Sequence, residues 1–286
     1  MGSGSYSTTN SIARSVNYLD MAPCEIFTQK SINNAMSPHG IVTRESRDSE
    51  EHPKSLAVIL GLDVTGSMGS VPNYLIKEGL VGVMETILQR GVNDPQLLFL
   101  GIGDHECDRS PLQVAQFESS DELLDKWLRD VYLEGGGGGN YGESYSLAWY
   151  LAAFHTSIDC FEKRKEKGLL FTIGDEPCLK ETPKKFIKDM MGSDEFAKNY
   201  THHELLEKAQ EKYHVYHLHI KQTASGSRQE VMDGWKQLMG DNLIIIDNYK
   251  ELDKKIAETI LKHASIEKTE VEVVEKIEIT ETEIIL

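Results

Sequence analysis

Residues 55–70 read SLAVILGLDVTGSMGS. The run from Ser55 to Asp63 is apolar without alternation, as in a strand covered on both faces. Directly behind it come one acid and three hydroxyls: Asp63, Thr65, Ser67 and Ser70. A strand needs none of these to turn, because Gly66 and Gly69 suffice. Three of the oxygen-bearing residues fall at alternate positions, D-x-T-x-S, and carboxylate and hydroxyl oxygens suit a hard divalent cation rather than zinc or copper. A lone hydroxyl ahead of a helix is ordinarily a cap, and Ser70 is assigned that role.

Strands alternate with helices outward from this stretch. Apolar residues at helical spacing over 73–90 (Ile76, Leu80, Met84, Ile87) predict a helix, and QLLFLGIGD (96–104) predicts a second buried strand ending in an acid. PLQVAQF (111–117) reads as a short edge strand because Pro111 opens it. Ser119 and Glu122 form a capping-box pattern before LLDKWLRDVYL. Five glycines (135–139) precede one long helix with the stripe Leu147, Leu151, Phe154, Ile158 and Phe161. GLLFTIGDEP (168–177) is another buried strand ending in an acid. The strands HVYHLHI (214–220) and NLIIID (242–247), with helices between and after them, complete the pattern. It predicts an α/β domain with a doubly wound, mostly parallel six-stranded sheet, helices on both faces and a short antiparallel edge strand. Ligands of such sheets sit at the carboxyl ends of the strands, where Asp63, Asp104 and Asp175 fall.

The stretch DVTGS resembles the metal-ion-dependent adhesion site motif, D-x-[S/T]-x-S, of von Willebrand factor A domains, and the order of elements agrees with that Rossmann-like fold over about residues 55–265. The resemblance implies that Asp63, Thr65 and Ser67 are first-loop ligands, with Asp63 often acting through water. It implies Asp175 as the acid after the next central strand. The family's second-loop ligand is usually a Thr, which EGGGGGNYGESYSLAWYL (134–151) lacks. Counting back from Glu143 places that slot on Gly139 or Asn140, and Asn140 is favoured because its amide oxygen is neutral like a hydroxyl. The implied cofactor is Mg²⁺, with Mn²⁺ or Ca²⁺ as alternatives, and the implied partner is a protein presenting an Asp or Glu.

Thirty basic against 46 acidic residues give a net charge of -16, which disfavours nucleic acid. It directs the expectation to a basic or neutral partner surface that presents one acid. Four cysteines (Cys24, Cys107, Cys160, Cys178) show no C-x-x-C pairing, as expected of a reducing compartment. With neither a membrane-length apolar run nor a signal-like leader, the expected address is the cytoplasm. Residues 1–54 read as a polar extension, with RESRDSEEHP (44–53) a solvated approach segment. Residues 266–286 form an acidic tail whose Val271, Val273, Ile277, Ile279 and Ile285 share one parity, as in a strand with one apolar face.

Other motifs carry less. Gly137, Gly139 and Gly142 spell G-x-G-x-x-G, but a helix rather than a strand precedes them, so no dinucleotide fingerprint is met. Asp104, His105, Glu106 and Asp108 offer a second cation site or an acid/base pair, against the plainer expectation of solvated loop acids. His214, His217 and His219 read as structural. The expected function is a cation-dependent protein-binding module without enzyme activity. The alternatives are a Mg²⁺-dependent hydrolase or phosphotransferase with Asp63 as nucleophile, and an assembly protein self-associating through the tail.

Overall fold

The computed structural model describes residues 4–135, 140, 142–193 and 195–264. Its centre is a six-stranded sheet of β1 (Leu56–Asp63), β2 (Pro95–Ile102), β3 (Leu112–Val114), β4 (Gly168–Gly174), β5 (Tyr213–Ile220) and β6 (Leu243–Ile246). The order is β6-β5-β4-β1-β2-β3. All neighbours are parallel except β3, which runs antiparallel to β2 with Leu100 opposite Val114. This mixed α/β sheet is consistent with a Rossmann-like arrangement.

The main helices are α1 (Thr8–Tyr18), α2 (Leu80–Gln89), α3 (Asp121–Arg129), α4 (Ser146–Phe154), α5 (Lys184–Met191), α6 (His202–Gln210), α7 (Gln229–Met239) and α8 (Leu252–His263). They explain why β1 is apolar throughout. Val58, Leu60 and Leu62 join one core with residues of α2, α3 and α8. Ala57 and Ile59 point the other way, into a second core with residues of α4, α6 and α7. Successive side chains of a strand alternate between faces, so covering both faces demands an unbroken apolar run. Each such aliphatic side chain, fully buried, contributes on the order of 1.5–3 kcal/mol.

The chain winds from β1 outward to β2 and β3, then returns to the other side of β1 to form β4. The switch point therefore lies between β1 and β4, and it brings Asp63 and Asp175 to the same crevice.

Several local expectations change. The long helix predicted after the glycine run breaks at His155. Thr156–Ile158 form a short strand parallel to Arg44–Ser46, and a second helix begins at Asp159. The β-branched Thr156 and Ile158 suit that pairing, and the helical stripe was a coincidence of two elements. The cap of α3 is Ser120, whose hydroxyl accepts from the Leu123 N–H at 3.3 Å, not Ser119. Ahead of α2, Val71–Tyr74 and a π turn at Leu75–Gly79 continue one helical stretch.

RESRDSEEHP is not a solvated approach. Arg47 donates to Asp159 at 2.9 Å, and Arg164 donates to Asp48 at 2.7 Å. The Arg44 Nε–H donates to the Ala115 carbonyl at 2.8 Å. Further upstream, Tyr18 donates to Asp125 and Arg14 pairs with Asp121. The segment from Arg14 to Asp48 is thus strapped onto α3, the end of β3 and the helix that begins at Asp159 by charge-assisted bonds. All four thiols are unpaired. Among the described residues no helix is long and apolar enough to cross a membrane. The predicted tail strand (266–286) lies outside the described residues.

Candidate metal centre

The backbone leaves β1 at Asp63 and makes a 3₁₀ turn over Gly66–Met68, pinned by the buried Met68 side chain. Gly69 then reverses the chain with φ of 53°, a conformation that disfavours any residue with a Cβ. Ser70 precedes the next helix, but its side chain makes no capping bond there; Pro72 removes one of the N–H groups a cap would serve.

Asp63 is fully buried. Its Oδ1 accepts from the Thr65 N–H at 2.9 Å and the Thr65 hydroxyl at 2.6 Å. Its Oδ2 accepts from the Tyr145 hydroxyl at 2.8 Å. The Ser67 hydroxyl donates to Asp175 Oδ1 at 2.8 Å, and Thr65 Oγ1 lies 3.2 Å from Ser67 Oγ. Behind Asp175, the loop after β5 closes the crevice. Ser225 N–H donates to Asp175 Oδ2 at 3.1 Å, and Ala224 N–H donates to the Ser67 carbonyl at 3.3 Å. Four of the five residues singled out in the sequence, Asp63, Thr65, Ser67 and Asp175, are therefore joined in one network.

Asn140 is not part of it. Its amide nitrogen donates to Glu106 Oε2 at 2.7 Å, in the loop after β2, and its Oδ1 is buried without a hydrogen-bond partner. Gly139 lies outside the described residues, as do Gly136–Gly138. The loop after β2 also departs from the solvated acids expected there. Asp104 is only 1% exposed, its Oδ1 accepts from Glu106 N–H at 2.8 Å, and Asp108 folds back to accept from Asp104 N–H at 2.8 Å.

Two residues missed in the sequence complete the crevice. Tyr145 stands just ahead of α4 and reaches Asp63 across Gly174, where a Cβ would lie 1.9 Å from its hydroxyl. Glu143 is bound by its backbone to the loop carrying Asp175: its N–H donates to the Pro177 carbonyl at 2.8 Å, and its carbonyl accepts from Leu179 N–H at 2.9 Å. The Glu143 side chain is buried, and its Oε2 has no partner. The signal was an acid and a phenol directly before the apolar run SLAWYL, on the N-terminal flank of a helix that packs into the core.

The electrostatics are those of crowded acids. Burial pushes the Asp63 carboxyl up to about 7; the Thr65 bonds oppose this, and Asp175 adds to it. Burial, then the neighbouring Asp63, Asp108 and Asp104, push Glu143 up to about 10. The Tyr145 phenol is raised by burial and by Asp63. The nearby Arg228 is engaged with Glu176, whose backbone carbonyl accepts from Trp235 Nε1–H at 2.9 Å. No group of three His, Cys, Asp or Glu side chains among the described residues is arranged to hold a metal by itself. The donors gathered here are carboxylates together with hydroxyls.

The histidines fill structural places. His217 stacks on Trp235 with ring centres 3.4 Å apart and bonds Thr172 through Nδ1, while His219 Nε2 lies 2.8 Å from the Gly226 carbonyl. Burial lowers both rings, which keeps them neutral.

No protein-family profile and no curated protein matches the sequence. Among solved structures, the chain is similar to two crystal structures of the pilus adhesin SpaC from Lactobacillus rhamnosus GG, at 10% and 12% identity and TM-scores of 0.48 and 0.46. It is also similar to proximal thread matrix protein 1 from the mussel byssus, at 12% identity and a TM-score of 0.44. Each match covers 77% of this chain, but only 31% and 32% of the adhesin chains and 48% of the matrix protein.

Proposed function

We propose that the chain is a von Willebrand factor A-like domain that binds a divalent cation, Mg²⁺ foremost, and through it the Asp or Glu side chain of a protein partner. The observation that carries this reading is the meeting of Ser67 with Asp175, 108 residues apart, beside Thr65 and Asp63. The donor set fits a hard cation. The hydroxyl protons of Thr65 and Ser67 are spent on carboxylates, which leaves oxygen lone pairs for the ion. Adjacent oxygens of an octahedron with bonds of 2.0–2.1 Å are about 2.9 Å apart, and the two hydroxyl oxygens stand 3.2 Å apart. We assign Glu143, rather than Asn140, to the second loop, because its backbone is bonded to the loop carrying Asp175 and its carboxyl feels the Asp63 charge, whereas the Asn140 amide is held by Glu106.

A bound cation would supply positive charge at a position open to a partner's carboxylate. The chain's own residues prepare for it: Tyr145 and the Thr65 groups fix Asp63, and Ser225 fixes Asp175. The hydrolase reading is less favoured, because both Asp63 oxygens are already hydrogen-bonded and the side chain is closed to solvent.

The test is a Mn²⁺ titration followed by electron paramagnetic resonance, with capture of proteins from a lysate, each on wild type and Ser67→Ala. Stoichiometric uptake of one ion, lost together with capture in S67A, is expected. No uptake by the wild type overturns the metal; uptake with capture that persists in chelator overturns its role in binding.

A further inference from the structure

The two edges of the sheet are treated differently. All three residues of β3 are buried, beneath the arm that carries Arg44. At the other edge nothing among the described residues pairs with the outer side of β6. Yet β6 reads LIII, with Leu243 and Ile244 only partly buried and Ile245 37% exposed. It carries no charge, proline or bulge of the kind that blunts an edge, and an unblunted apolar edge is a template for another strand.

Residues 271–279 (VEVVEKIEI) have a matching sequence pattern, with Val271, Val273, Ile277 and Ile279 on one parity. Its own copy of β6 is a poor destination. The helix α8 lies against the face shared with α2, through Leu252, Ile256 and Ile260, whereas α7, which links β5 to β6, lies on the opposite face. The step from β5 to β6 moves outward with its helix on the α7 side. A further outward step through α8 would use the wrong face and make a left-handed crossover, whereas about 98% of parallel connections are right-handed. The described chain also stops at Ala264, in a cleft lined by Leu56 and Asp94, at the opposite end of the strands from the candidate metal centre. From beneath β1 the tail would have to cross four strand spacings, about 19 Å, which residues 265–270 span only when fully extended, with no slack left to turn around the edge.

We propose that residues 271–279 of one copy add as a strand to the β6 edge of a second copy, so that the chain self-associates by strand addition. The ladder supplies backbone hydrogen bonds, and the apolar parity of the tail covers Ile245 and its neighbours. The interaction is independent of the metal centre, which lies at the carboxyl end of β1 and β4.

The test uses full-length protein in chelator, with mass in solution measured by light scattering across a dilution series. Two variants are compared with wild type: Ile245→Asp, which alters only the edge, and the double change Val273→Asp with Ile277→Asp, which alters only the tail. Wild type is expected to associate with increasing concentration and each variant to run as a monomer. An equal mixture of the two variants is expected to form dimers, because one copy contributes an intact edge and the other an intact tail. A monomeric wild type at every concentration, association that survives in the tail variant, or a mixture that stays monomeric would each overturn the proposal.

Discussion

Glu143→Gln is expected to stabilise the metal-free protein and weaken the metal-loaded one. In the folded chain burial and the neighbouring acids hold Glu143 protonated up to about pH 10, against a starting value of 4.5. Unfolding frees it to ionise. Between those two values the folded state therefore binds more protons than the unfolded state, so stability falls as pH rises. From 4.5 to neutrality this is about 2.5 units at about 1.4 kcal/mol each, or about 3 kcal/mol. A buried glutamine keeps the shape and removes the ionisation, but its amide must also be desolvated, which leaves a gain of about 1–3 kcal/mol. Asp63 adds a slope of the same sign up to about pH 7, so the wild-type slope is reduced rather than abolished. Urea unfolding in chelator at about pH 5 and about pH 7 measures both quantities. With Mg²⁺ added, wild type should gain more stability than E143Q, because ligand binding to the folded state adds to its free energy. The reasoning fails if E143Q in chelator is no more stable than wild type at neutral pH and keeps the full wild-type slope.

Tyr145→Phe removes the donor to Asp63 Oδ2 and leaves that buried oxygen unpartnered; a loss of about 1–3 kcal/mol in urea unfolding is expected. The N-terminal strap should release in acid. Burial raises Asp48 and Asp159, but bonds to Arg164 and Ser55, and to Lys163 and Arg47, outweigh it and hold both carboxyls below their ordinary range. Their stabilisation is complete above the ordinary carboxylate values and disappears as pH falls through the lower folded ones. Arg47→Met should therefore speed amide exchange over residues 44–48 strongly at neutral pH and have little effect in strong acid.

Much of the fold was legible because it rests on periodicity. The unbroken run in β1 specifies two covered faces, and Pro111 marks the edge strand, so sheet type and element order follow from local pattern. The first-loop oxygens were legible for the same reason: Asp63, Thr65 and Ser67 sit four residues apart in all, and one turn places them together. Where two short elements shared a stripe, as at Phe154 and Ile158, the pattern misled, since pairing of Thr156–Ile158 with Arg44–Ser46 is a contact between distant segments.

By itself the sequence determined what local spacing can encode: the strands of the central sheet, most of the helices that cover it and the first-loop part of the candidate centre. Only the tertiary structure decided the rest of that centre. That Glu143 rather than Asn140 is coupled to Asp63 depends on the loop after β4 gripping the Glu143 backbone, while Asn140 is held by Glu106 in the loop after β2. That Tyr145 reaches Asp63 depends on the missing Cβ of Gly174, one strand away. Neither is a property of spacing along the chain; both arise when the switch point of the sheet brings separate loops within hydrogen-bonding distance.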